Sequence, residues 1–252
     1  EAASNNKSVC IYIYIYWINH LPLGSRGVCS RLGRLSRPKS FVCIFRGAVP
    51  LLVVDATQSA GSIPIDVQAC PVDALISGAY KWLCGPFGAA FMYIAPRLSE
   101  KLDPGLVGFR SHKNMWDLDA KRIDYPQTAQ KFEFSTMAFG CAIGLTKAIN
   151  FLNKVGVKEI FQYNRQLADI LVTGLRSRDA VITSPLDDKN RSSIVTAYFE
   201  NIDSKEIITC LKVAQVFVSS RASTIRFSPH LYNTGEDIDF ALAEIDKSIM
   251  KM

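Results

Sequence analysis

The stretch Asp73-Ala-Leu-Ile-Ser-Gly-Ala-Tyr-Lys-Trp-Leu-Cys-Gly-Pro-Phe-Gly88 sets a single cation between two strand-like runs. Ile76 closes a short apolar run, and Ser77-Gly78 breaks it. Lys81 follows, then Gly85-Pro86 and Gly88, and Ala89-Ala90-Phe91-Met92-Tyr93-Ile94 reads as the next strand. A lysine between buried strands is costly unless its charge is paired or used. Desolvation lowers an amine's pKa, and a neutral amine can attack a carbonyl. On this stretch alone two readings stay open: a nucleophilic amine, or a surface lysine on a strand-connecting turn.

Upstream, Leu51-Leu52-Val53-Val54 is a continuous apolar run, the pattern of a buried parallel strand. It ends in Asp55-Ala56-Thr57-Gln58. A carboxylate at the carboxyl end of such a strand stands where open α/β sheets bind ligands. Asp55-x-x-Gln58, then Gly61 and Asp66, then Tyr80-Lys81-Trp82-Leu83 with Gly85-Pro86, follow one another in order and spacing. With these the chain resembles the class V aminotransferase-like family of pyridoxal-phosphate enzymes, fold type I. Within it, the chain is most similar to isopenicillin-N-epimerase-like proteins and relatives of the cysteine desulfurases. The resemblance runs from about Leu51 to the C-terminus.

The resemblance implies pyridoxal 5'-phosphate as cofactor and gives each matching residue a role. Lys81 would hold the cofactor as a Schiff base and then shuttle the α-proton of an amino-acid substrate. Asp55 would favour the protonated pyridine ring, which makes the ring an electron sink. Gln58 would donate to the cofactor's phenolic oxygen. Tyr80 stands where many members carry a phosphate-holding His, and Gly78 where a desulfurase often has a serine; Ser77 is one position away. Phe132-Glu133-Phe134-Ser135-Thr136 resembles Phe-Glu-x-Gly-Thr, whose threonine reaches the cofactor phosphate of the neighbouring subunit. Thr136 would therefore act in trans, in a homodimer. If the glycine replaced by Ser135 takes positive φ, the serine is strained. Arg226, in Thr224-Ile-Arg-Phe-Ser-Pro-His230-Leu-Tyr-Asn233, would grip the substrate α-carboxylate, with Arg221 a weaker second candidate. His230 and Asn233 read as structural, fixing the turn into the last helix. Taken singly, Asp55 also reads as a turn aspartate, Gln58 as a polar turn residue and Thr136 as a buried threonine at a helix start.

Composition bounds the alternatives. The 252 residues are 48% hydrophobic and 21% charged, enough for a substantial core or two smaller ones. No apolar run is long enough to span a bilayer. Residues 1–50 carry seven basic residues and one acid, which accounts for the whole net charge of +6. The basic balance therefore says nothing of nucleic-acid binding by the rest of the chain, and no nucleic-acid or membrane partner is expected. Cys10, Cys29, Cys43, Cys70, Cys84, Cys141 and Cys210 are odd in number and lack CxxC spacing. They suggest free thiols in a reducing, cytoplasmic compartment, and no metal is expected. Desulfurase chemistry needs a mobile thiolate shortly before the arginine, and no cysteine lies between Val218 and Arg226. Cys210 reads as core on an apolar helical face. A nucleotide-binding α/β protein would need a GxGxxG or P-loop, and neither is present.

Three parts are expected. Residues 1–46 read as an atypical basic leader outside the family fold. Ile11-Tyr-Ile-Tyr-Ile-Tyr-Trp17 would make a strand if paired, and the Arg/Ser-rich stretch after Gly24 is transit-peptide-like, which allows an organellar destination. Residues 47–155 read as a partial cofactor-binding large domain with a mainly parallel sheet. Asp66–Cys70 reads as a helical turn and Pro96–Leu102 as a short helix. A further helix carries Ala142, Leu145, Ala148, Ile149 and Leu152 up to Gly156. Residues 156–252 read as a small α+β domain. Its first helix, Val157–Leu175, carries Ile160, Leu167, Ile170 and Leu171, and strands follow at Val181-Ile182 and Ser193–Phe199. A serine-capped helix Ser204–Lys212 precedes strands at Gln215–Ser219 and Ser223–Phe227. The last helix opens on Thr234 with Asp237 in a near capping box. The fold class is thus α/β with an α+β C-terminal domain. The expected function is chemistry at the α-carbon of an amino acid: aminotransferase, epimerase or lyase. The alternative is an N-terminally truncated, non-catalytic homologue, a fold remnant or dimerising protein.

Overall fold

The computed structural model describes residues 41–46, 49–119, 121–188, 190–221 and 223–251. The expected strand at Ile11–Trp17 and the basic stretch after Gly24 lie outside the described residues. The described residues fall into two compact units, one ending at Lys154 and one beginning at Val155.

The first unit holds a four-stranded sheet of β1 (Phe41–Arg46), β2 (Val49–Asp55), β3 (Ala74–Gly78) and β4 (Ala90–Ile94), in that order. β2 and β3 are parallel; β1–β2 and β3–β4 are antiparallel. The sheet is therefore mixed, where a mainly parallel one was expected. Connection length explains it. Residues 56–73 are long enough for the crossover that a parallel pair needs, whereas residues 79–89 double back directly. Phe41–Arg46, within the residues read as the leader, pairs along its whole length with β2.

Asp73 locks the register of the parallel pair. Its backbone N–H donates to Leu52 O at 2.9 Å, and its Oδ2 accepts from Leu52 N–H at 2.7 Å. The carboxylate is buried, and Arg97 Nε–H donates to Oδ1 at 3.0 Å. Pro96 opens the short helix α1 (Pro96–Ser99), which buries Leu98. Asp66 turns the chain as expected: its Oδ1 accepts from Gln68 and Ala69 N–H, and its carbonyl from Cys70 N–H. The segment up to α2 (Phe139–Val155) is irregular apart from two short 3-10 turns. Leu145 and Leu152 form the buried stripe of α2.

The second unit builds one core. Its sheet of β5 (Val181–Ile182), β6 (Val195–Tyr198), β7 (Ser219–Arg221) and β8 (Thr224–Phe227) runs β5-β6-β8-β7, all antiparallel. Three helices, α3 (Val157–Arg176), α4 (Ser204–Val213) and α5 (Gly235–Ile249), pack on one face of it. Leu167, Leu171, Ile207, Leu211, Ile225 and Ile245 are the buried centre. Ile170, expected on the apolar side of α3, is exposed.

Two local expectations are corrected. Asp203, not Ser204, caps α4: its Oδ1 accepts from Lys205 N–H at 2.9 Å, while Ser204 Oγ–H donates to Ser223 O. Gln215 takes φ +63, and Val216 N–H donates to Leu211 O while Gln215 N–H donates to Lys212 O. That pattern closes a helix, so the strand read at Gln215–Ser219 begins only at Ser219. At α5 the capping box forms, with Thr234 Oγ1 and Asp237 Oδ2 accepting from each other's backbone N–H.

Candidate active site

The turns after β2 and β3 leave the sheet side by side, because these two strands are parallel neighbours. Asp55 is the last residue of β2 and is exposed; its Oδ1 accepts from Thr57 N–H at 2.9 Å. Thr57 Oγ1 accepts from Gly78 N–H at 3.1 Å, tying the first turn to the end of β3. Gln58 Oε1 accepts from Trp82 Nε1–H at 3.2 Å, tying it to the second turn next to Lys81. Gly61 permits this closeness: a Cβ there would stand 2.5 Å from Trp82 O. Asp55, Gln58 and Lys81 thus share the carboxyl end of the parallel pair. Thr57 and Trp82 hold that arrangement, and the sequence assigned neither a role. Trp82 was visible as an apolar residue beside the lysine, but its bond to Gln58 depends on strand pairing.

Lys81 is exposed, as the reading of a surface lysine on a strand-connecting turn has it. Trp82 and Leu83 are the buried residues of its turn, so the lysine side chain points outward. Its Nζ lies 5.5 Å from the centroid of the Tyr80 ring, which stacks on Phe87 with centroids 5.3 Å apart. Ser77 is fully buried and donates its Oγ–H to Gly78 O. Cys84 takes φ +53, and burial pushes its thiol above its ordinary pKa, away from an activated thiolate.

Thr136 is exposed in the segment ahead of α2, not buried at a helix start. The segment is anchored by Glu133, which accepts from Arg110 Nη2 at 2.7 Å and Nε at 3.0 Å. Ser111 Oγ–H donates to Glu133 O at 2.8 Å. Ser135 is not among the residues with positive φ, so the strain expected there is absent.

Arg226 belongs to the second unit, half-buried on β8 between Thr196 of β6 and Ser219 of β7. Burial lowers its pKa from the ordinary value, and the like charge of Arg221 adds to this. His230 and Asn233 fix the turn before α5: Asn233 Oδ1 accepts from His230 N–H at 3.0 Å, and His230 O accepts from Asn233 N–H at 2.9 Å.

A family model described as Aminotransferase class-V matches residues 28–240. The chain belongs to the class-V aminotransferase family. The match begins at residue 28, well before the boundary expected at residue 47. This family member is 30% identical over 195 residues to the uncharacterized aminotransferase YcbU of Bacillus subtilis, covering 77% of the chain and 50% of that protein. It is 31% identical over 235 residues to the uncharacterized aminotransferase C777.03c of Schizosaccharomyces pombe, covering 90% and 58%. The chain spans about half the length of the curated relatives it matches. Among solved structures, an apo cysteine desulfurase from Thermococcus onnurineus NA1 superposes with a TM-score of 0.73 at 23% identity, covering 80% of the chain and 53% of that structure. The cysteine desulfurase CsdA of Escherichia coli gives 0.71 at 22% identity, with 80% and 52% covered. These likenesses establish the α/β fold.

The residues at the carboxyl end of β2 and β3 fit the cofactor of class-V aminotransferases. Pyridoxal phosphate carries an aldehyde, a basic ring nitrogen and a phenolic oxygen. The paired turns offer an exposed primary amine, an exposed carboxylate and an amide, each the complementary type.

Proposed function

We propose that this chain is a pyridoxal-phosphate-dependent enzyme acting at the α-carbon of an amino acid, of the aminotransferase, epimerase or lyase type. The observation that carries the reading is the Gln58–Trp82 hydrogen bond, which holds the Asp55-to-Gln58 turn against the turn bearing Lys81. When bound, pyridoxal phosphate supplies an electron-withdrawing ring that stabilises charge developing at the α-carbon.

Lys81 Nζ provides the amine that would attach the cofactor and afterwards hold and move the α-proton. Asp55 has Oδ1 engaged by Thr57 N–H, which orients the carboxylate; its charge would hold a proton on the ring nitrogen. Gln58 accepts from Trp82 Nε1–H through its oxygen, and its amide nitrogen would donate to the cofactor's phenolic oxygen. Thr136 would donate its hydroxyl to the phosphate held by the partner subunit, which makes the functional form a homodimer. Arg226 would take the substrate carboxylate through its planar fork.

The test is absorption of the purified chain with pyridoxal phosphate. A visible band is expected, bleached by borohydride, with the cofactor's mass retained on Lys81 and both signals lost in Lys81→Ala. A chain that stays colourless would point instead to a non-catalytic homologue. Product analysis over an amino-acid panel then assigns the reaction type.

A further inference from the structure

The residue before Lys81 carries an aromatic ring that is constrained from two sides. Tyr80 stacks on Phe87 with centroids 5.3 Å apart and planes 18° from parallel. The second constraint is Gly78, where an added Cβ would stand 2.8 Å from Tyr80 Cε1 and 3.2 Å from Cδ1. Gly78 is itself fixed: it pairs with Ala90 of β4 and donates its N–H to Thr57 Oγ1 at 3.1 Å. A side chain at residue 78 would therefore push the ring aside. The Phe87 backbone is tied down as well, its carbonyl accepting from Cys141 Sγ–H of α2 at 3.4 Å. Lys81 Nζ lies over the ring so placed, 5.5 Å from its centroid. A cation within about 6 Å of a ring centroid is attracted by the negative face of the ring. Tyr80 is exposed, which sets that attraction at the weak end of its range.

We propose that Tyr80 is a positioning residue for Lys81: its ring face holds the ammonium over the turn in the cofactor-free chain and sets how readily the amine is released to attack a carbonyl. This rests on the reading of Lys81 as the amine that attaches the cofactor. An amine attacks only after its proton has left to solvent, and the ring favours the charged form. The resemblance puts a phosphate-holding histidine at this position, a part played through a hydrogen bond. A part played through the ring face needs no hydroxyl, and that separates the two. Asp55 and Cys84, the other titratable groups on these turns, stay unchanged in every variant below.

The experiment follows Lys81 in the full chain without cofactor, by trace acetylation with acetic anhydride at neutral pH and by proton NMR of isotope-labelled lysines, assigned with Lys81→Arg. Acetylation joins the neutral nitrogen to the carbonyl carbon and releases acetate. Peptide mass spectrometry reads it at each lysine, so exposed Lys158 on α3 calibrates Lys81 in the same sample. Tyr80→Leu should raise Lys81 acetylation about two- to fivefold relative to Lys158, the factor an exposed cation–π contact implies. It should also move the Lys81 ε-methylene protons downfield, out of the shielding of the ring. Tyr80→Phe and Tyr80→Trp keep a ring face and should stay with the parent in both readouts. Gly78→Ala retains Tyr80 but displaces its ring, so it should reproduce Tyr80→Leu; thermal melts establish that each variant is folded. A Tyr80→Leu chain unchanged in both readouts overturns the proposal. So does a Tyr80→Phe chain that behaves as Tyr80→Leu, which would assign the part to the hydroxyl. Neither readout uses the cofactor: a chain that forms no visible band can still pass, and one that binds pyridoxal phosphate can still fail.

Discussion

Trp82 Nε1–H donates to Gln58 Oε1 at 3.2 Å, bridging the turns that leave two parallel strands. The indole is buried, so the bond is made where water competes poorly. Trp82→Phe keeps most of the packing and removes the donor. It should cost about 1 kcal/mol in urea denaturation. Cofactor affinity should fall with it, since Gln58 and the neighbour of Lys81 are then no longer tied. An unchanged cofactor titration in a destabilised Trp82→Phe variant would separate the bridge from the site.

Gly61 and Gly140 should respond oppositely to alanine. Gly61 has φ +92, and an added Cβ meets backbone, 2.5 Å from Trp82 O and 2.8 Å from Trp82 C. Both the dihedral and the contact oppose the change, and neither is relieved by a side-chain rotation. Gly61→Ala should lose at least about 2 kcal/mol. Gly140 lies in the first turn of α2 with nothing within 4 Å of its added Cβ. Gly140→Ala should be neutral to stabilising, by up to about 1 kcal/mol. Thermal melts of the two variants check both signs.

What was legible in the sequence was local. The apolar runs around Lys81, the helical stripe of Leu145 and Leu152, and the Thr234–Asp237 cap depend on neighbours a few residues away, and pattern reports them. The exposure of Lys81 was one of two readings that the sequence left open. Apolar strands flank it, but its own orientation is set by Trp82 and Leu83 filling the space beneath the turn. Val216-Phe217-Val218 has strand composition, yet Gln215 in the left-handed region ends α4 there, and the N–H groups of Gln215 and Val216 are occupied in closing the helix. β1 was hidden by the basic residues around it, because charge marks a surface and says nothing of strand pairing. Asp55, Gln58 and Lys81 were readable as residues; the bonds of Thr57 and Trp82 that join their turns require the parallel register of β2 and β3.

The Arg178–Asp246 pair gives a pH dependence of known sign. Arg178 Nε and Nη2 both donate to the Asp246 carboxylate at 2.6 Å, and that hydrogen bonding holds the carboxyl below its ordinary pKa. A depressed carboxyl contributes stability in full above its unfolded pKa, about 3.9. The contribution is lost as pH falls through the folded value. The Asp246 side chain is 39% exposed, so solvent screens the pair and about 0.5 kcal/mol is expected. Asp246→Asn should therefore lower stability at neutral pH, and the gap to the parent chain should close in acid. Urea denaturation at both ends of the range checks it; a constant gap would assign the loss to packing.

Glu133 and Thr136 should separate architecture from ligand contact. The Arg110–Glu133 side chains are only 17% and 13% exposed, so removing one charge strands the other in a poorly solvated place. Glu133→Ala should cost about 2–3 kcal/mol, and it also removes an anchor of the segment leading to Thr136. Adding Arg110→Ala should recover part of that cost, since the stranded guanidinium is then gone; a double-mutant cycle measures the coupling. Thr136 is exposed, and Thr136→Ala should change stability by less than about 0.5 kcal/mol. If its hydroxyl serves a phosphate across a dimer, Thr136→Ala will still weaken cofactor retention, and adding inorganic phosphate will compete less well for the site. A Thr136→Ala chain that keeps full cofactor affinity would remove the residue from the site while leaving the Glu133 anchor a matter of folding alone.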